Sequence, residues 1–220
     1  MSYGGLVNFL HPPMKTTKLL ICAVAFAAAI VAVKANGQSL TTTYHGISPG
    51  LAIQGTWNGT DIYVVEAGEI NFSGFDAFCV EPWQPIPDNE EIIYEIQDPA
   101  SLGTAASGTI SRLVGAYLAS SRSNEDAAAI QWAIWETMTE LDAEPNLLSG
   151  NSRITGSGDQ DIANRANEYL SNINSFVPVT LVYLQNGPVQ NVVSWNVIPE
   201  PTSVGLLVLS GLLVLRRRRN

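Results

Sequence analysis

From Ala127 to Trp135 the chain reads Ala-Ala-Ala-Ile-Gln-Trp-Ala-Ile-Trp, apolar at every position but one. Asn124 reads as the N-cap of a helix there. Glu125 and Asp126 are favourable in its first turn, and the helix runs to about Leu141. A helix apolar on nearly every side belongs in a core. Gln131 lies on one stripe with Ala127, Ile134 and Met138. A carboxamide on a buried stripe costs about 2–7 kcal/mol if it finds no hydrogen-bond partner. The fold must therefore bring one to it.

Around this helix the pattern is mixed. Residues 36–60 read as a strand after a loose, Thr/Ser/Gly-rich start. Asp61–Glu66 and Glu69–Val80 also read as strands, and Pro82, Pro85 and Pro87 force a loop. Ile92–Ile96 is a short strand. Thr109–Ser120 and Gln160–Asn174 carry apolar residues at helical spacing. Val179–Leu184 and Val189–Val197 form a strand pair around Asn186-Gly187. Strands, then helices, then strands predict an α+β domain of antiparallel strands packed with two or three helices.

The ends have a different composition. Met14 reads as the start, with residues 1–13 an upstream extension. Lys15 and Lys18, the apolar stretch Leu19–Val33 and the small residue Ala35 then predict a signal peptide over 14–35. The globular domain is expected at 36–197. Residues 198–220 carry Pro199-Glu200-Pro201, an apolar run Val204–Leu215 and the block Arg216, Arg217, Arg218 and Arg219. The two prolines hold the chain extended. The run spans about 18 Å as a helix, short against a bilayer core of about 30 Å. The arginines favour the cytoplasmic side.

This ending resembles the PEP-CTERM sorting signal of exopolysaccharide-producing Gram-negative bacteria. The resemblance implies a substrate of an exosortase-type processing enzyme, held in the inner membrane by the C-terminal helix at least transiently. It further implies delivery to the outer surface or the extracellular matrix.

Charge and missing residues narrow the function. Between Ala35 and Leu215 stand four arginines, no lysine, and all 20 acidic residues. Such a surface repels nucleic acid, so no nucleic-acid partner is expected. His45 is the one histidine of the domain. There is no Cys/His cluster for a metal and no phosphate-binding glycine loop, and no cofactor is expected. Cys22 leaves with the leader, so Cys79 is the single thiol of the exported domain.

Cys79 sits in Phe78-Cys79-Val80-Glu81, and Gln131 in Ile130-Gln131-Trp132-Ala133-Ile134-Trp135. These two motifs resemble the thioester domains of bacterial surface adhesins. Ile130 stands where that family usually has threonine. The resemblance implies an internal Cys79–Gln131 thioester, shielded from water by Phe78, Trp83, Trp132 and Trp135 and opened once by a partner amine. The partner would be an amine-bearing surface protein or a glycan matrix. On this reading the chain is not an enzyme. Two alternatives stand beside it. One is a structural, exopolysaccharide-associated protein in which Cys79 and Gln131 are ordinary core residues. The other is a secreted hydrolase with Cys79 as nucleophile and His45 as base.

Overall fold

The computed structural model describes residues 38–140 and 145–196. Among them seven strands carry the fold: β1 (Ser39–Trp57), β2 (Thr60–Phe72), β3 (Phe75–Cys79), β4 (Glu91–Gln97), β5 (Arg153–Ile154), β6 (Val182–Gln185) and β7 (Val192–Ser194). The α-helices among the described residues are α1 (Thr104–Ala119), α2 (Asn124–Thr139) and α3 (Gln160–Ser171). The domain is α+β, and every strand pairing in it is antiparallel.

The strand order is β2-β3-β7-β6-β4-β1-β5. β1 also pairs with β2, which closes six of the strands into a ring and leaves β5 on its edge. Closure is possible because β1 is long. Its start, Ser39–Thr43, pairs with β4, while Tyr44–Trp57 pairs with β2. Only the two short ends of the chain's sheet, β6 and β7, complete the circuit from β4 back to β3.

Several boundaries differ from the sequence expectation, each for a local reason. The strand expected over Glu69–Val80 is two strands, because the chain turns at Ser73-Gly74, where Gly74 has φ 94°. The expected β1 and β2 are joined by a tight turn at Asn58-Gly59, both with positive φ. α1 begins at Thr104, five residues earlier than expected, after a 3-10 turn at Pro99–Leu102. The cap of α2 is Ser123, not Asn124. Ser123 Oγ accepts from the Asp126 N–H, and the Asp126 carboxylate accepts from the Ser123 N–H. This is a capping box one residue earlier, with an aspartate in place of the usual glutamate. Asn124 instead accepts the Gly50 N–H through Oδ1 at 3.2 Å. α3 stops at Ser171 and tightens into a 3-10 turn at Ile173–Ser175. The last two strands are shorter than expected, at Val182–Gln185 and Val192–Ser194.

α2 is the centre of the domain. Every residue from Asp126 to Thr137 is buried. It packs on β1, β2 and β3 and is covered by α1 and α3. That arrangement suits a helix that is apolar all round. Its buried first turn is held by Asp126, which accepts from Arg165, Tyr169 and Ser121.

No helix among the described residues is long and apolar enough to cross a membrane. The expected leader at 14–35 and the expected sorting segment at 198–220 lie outside the described residues.

Candidate functional site

β3 ends at Cys79, between two neighbours that treat it differently. On one side it pairs with β7, with Cys79 opposite Val192. On the other side its ladder with β2 runs only from Phe75 to Ala77, which is opposite Ile70. An antiparallel strand turns the N–H and C=O of successive residues to alternate sides. Val80 donates its N–H to Asn191 on the β7 side. The N–H and C=O of Cys79 therefore face the side that β2 has left.

Gln131 fills that vacancy. Cys79 donates its N–H to Gln131 Oε1 at 3.0 Å, and Gln131 Nε2 donates to the Cys79 carbonyl at 2.8 Å. One carboxamide thus replaces the peptide group of a missing strand. The pair is sealed, with Gln131 1% exposed and Cys79 4% exposed. Two hydrogen bonds of this kind place the carboxamide carbon about 4 Å from the Cys79 backbone.

Trp135 follows Gln131 by one turn and shares its face of α2. Burial pushes the Cys79 thiol far above its usual range. The Trp135 indole opposes this most, and the Glu81 carboxylate adds to it. Even so, the Trp135 N–H makes no hydrogen bond of ordinary geometry. Burial also raises the phenols of Tyr94 and Tyr44; for Tyr94 a negative Cys79 would add to this, and for Tyr44 the Glu66 and Asp88 carboxylates add more than Cys79 would. Tyr94 is fully buried and donates its hydroxyl to the Gln190 carbonyl at 3.1 Å. Gln190 in turn donates through Nε2 to the Glu81 carbonyl at 2.7 Å.

The four expected shielding residues separate into two groups. Trp132 and Trp135 are fully buried on α2, edge to face with centroids 5.1 Å apart. Trp132 lies against β1 so closely that a side chain at Gly55 would meet its ring. Phe78 is fully buried, but it packs on Tyr117 and Trp195. Strand alternation turns it to the face opposite Cys79. Trp83 is 47% exposed and stands edge-on against Trp57 at 5.8 Å. It lies in the proline-rich segment after Cys79 and is a surface residue, not a wall of the buried pair.

His45 is exposed, with Nε2 at 2.8 Å from the Ser73 hydroxyl. No hydrogen bond joins it to Cys79. Among the described residues no group of three or more His, Cys, Asp or Glu side chains is arranged to hold a metal ion. Pro199, Glu200, Pro201 and Arg216–Arg219 lie outside the described residues.

Sequence reasoning paired Cys79 with Gln131 but missed the hydrogen bonds from Tyr94 to Gln190 and from Gln190 to Glu81. Nothing in a strand pattern marks which tyrosine meets a glutamine on another strand's approach. Comparison with protein families, with curated proteins and with solved structures gave no match.

Proposed function

We propose that this domain is the covalent module of an exported, C-terminally sorted surface protein. Cys79 and Gln131 form an internal thioester, and a partner amine opens it once. The observation that carries the reading is the two-way pairing of the Gln131 carboxamide with the backbone of Cys79.

That pairing supports the chemistry in three ways. The Cys79 N–H is aimed at Oε1, where negative charge develops when the carbonyl is attacked. The Cys79 carbonyl holds Nε2, the nitrogen that must leave. Hydrogen bonds to a carboxamide favour its own plane, whereas a strand side chain stands perpendicular to the hydrogen-bonding plane. The sulfur therefore projects out of the carboxamide plane, on the side from which a nucleophile reaches a carbonyl carbon.

In the first step the Cys79 S–H and Gln131 C–N bonds break and the S–C bond forms. The thiol proton leaves with the nitrogen as ammonia. In the second step an amine nitrogen bonds the Gln131 carbonyl carbon, the C–S bond breaks, and the amine proton returns to Cys79. The product is an amide to the partner, a surface protein or an amine-bearing glycan matrix. The lysine-free domain offers no side-chain amine of its own. The wholly buried Trp132 and Trp135 keep water from the acyl group.

A second reading also has a specific observation behind it. The two hydrogen bonds give both polar atoms of the Gln131 side chain a partner, and burial holds Cys79 as a neutral thiol. Both fit a structural, matrix-associated protein with no living bond. Intact mass of the exported domain separates the two. A thioester gives a mass one ammonia below that of the encoded chain, restored to the amine adduct by methylamine and abolished by Cys79→Ala. A full-length mass with no methylamine adduct leaves the structural reading.

A further inference from the structure

A sealed electrophile cannot meet a macromolecular amine until something opens, and the segments around the Cys79–Gln131 pair are held in different ways. β3 and β7, β4 and β1 are joined by backbone ladders, and α2 is buried along its length. The chain after Cys79 is different. From Glu81 to Glu90 it has neither helix nor strand, and no backbone–backbone hydrogen bond among the described residues. Pro82, Pro85 and Pro87 have no N–H with which to join a ladder.

This segment is fastened almost wholly by side chains, and to one place. Gln84 Nε2 donates to the Gly187 carbonyl at 2.8 Å. Asn191 Nδ2 donates to Glu81 Oε1 at 2.6 Å, and Gln190 Nε2 to the Glu81 carbonyl at 2.7 Å. All three partners lie on the β6–β7 hairpin. The other fastenings are Trp83 on Trp57 and the half-buried Ile86. Glu81 lies two residues after Cys79, just past the bend at Val80. Gln190, which holds Glu81, also accepts from the buried Tyr94.

We propose that Glu81–Glu90 is a lid over the Cys79–Gln131 pair, hinged where β3 ends and latched to the β6–β7 hairpin through Gln84 and Glu81 and to the end of β1 through Trp83. Its opening admits the amine. The proposal rests on the thioester reading for its purpose, but the opening itself can be measured without a thioester.

The experiment uses the whole exported domain and two variants of the latch, Trp83→Ala and Gln84→Ala. If the intact mass shows the thioester, the readout is the rate of methylamine capture. If it does not, the readout is the rate at which iodoacetamide alkylates the free Cys79. In either case each variant is expected to react about three to ten times faster than the parent at an unchanged melting temperature, as weakening one hydrogen bond or aromatic contact of the latch implies. Equal rates in parent and variants overturn the lid. So does a parent rate that rises with denaturant as steeply as global unfolding, since the site would then open only when the domain does. Failure of the thioester is read from the mass and failure of the lid from the rates, so the two are distinct.

Discussion

Glu136 accepts the Asn146 N–H through Oε1 at 3.0 Å, while its other oxygen, equally buried, has no partner. The residue is wholly enclosed at the last turn of α2. Burial pushes its carboxyl up to about 7, and the nearby Glu140 adds to this, while the Asn146 N–H pulls the other way. A raised value means the folded state keeps the proton longer than the unfolded one. Stability from this group is complete below about 4.5 and is lost as pH rises to about 7. Wild type should therefore lose up to about 3 kcal/mol relative to Glu136→Gln between pH 4.5 and pH 8. Urea denaturation of both proteins at the two pH values checks this. Parallel pH profiles would rule it out.

The carboxamide of Gln131 should be worth far more to the fold than the thiol of Cys79. Removing it leaves the buried N–H and C=O of residue 79 without partners. In a Cys79→Ala background, where no thioester can form, adding Gln131→Ala is expected to cost about 3–5 kcal/mol. Cys79→Ala alone should cost about 1–2 kcal/mol against a Cys79 protein kept reduced and free of thioester. Chemical denaturation of the three proteins makes the comparison. Similar costs for the two steps would mean that the pairing contributes little.

Two glycines of α1 should respond to alanine with opposite signs. Gly108 has open space where a side chain would stand, so Gly108→Ala should stabilise by up to about 1 kcal/mol through helix propensity. At Gly115 a side chain would run into the Val177 carbonyl. The segment there is fixed, because Ser111 donates to the Val179 carbonyl and Arg112 to the Phe176 carbonyl. Gly115→Ala should cost about 2–3 kcal/mol. Thermal melts that move both variants the same way would contradict this packing.

The helices were readable where their pattern depends on neighbours along the chain. The run at 127–135, apolar but for Gln131, places α2 and its burial correctly, because a helix apolar on nearly every side belongs in a core. The turn at Ser73-Gly74 is hidden inside an aromatic-rich strand pattern, since the apolar residues continue on both sides of it. The choice of Ser123 over Asn124 as the cap is equally hidden. Both residue types cap well, and only the reciprocal bond with Asp126 separates them. The exposure of Trp83 was not legible at all. A tryptophan beside prolines packs wherever the loop lands, and here it lands on Trp57 at the surface.

For Gln131 the division is clear. The sequence by itself determined that a glutamine would be buried on an apolar helix and would need a partner for both ends of its amide. That follows from helical spacing and the cost of an unpaired polar group. Two short motifs also singled out Cys79 as the residue to pair with it. Only the tertiary structure decided what the amide binds. β2 leaves β3 after Ala77, and this opens the N–H and C=O of a residue 52 positions away in the chain. Such a gap depends on where two strands part, which is set by closure of the ring and not by any local run of residues.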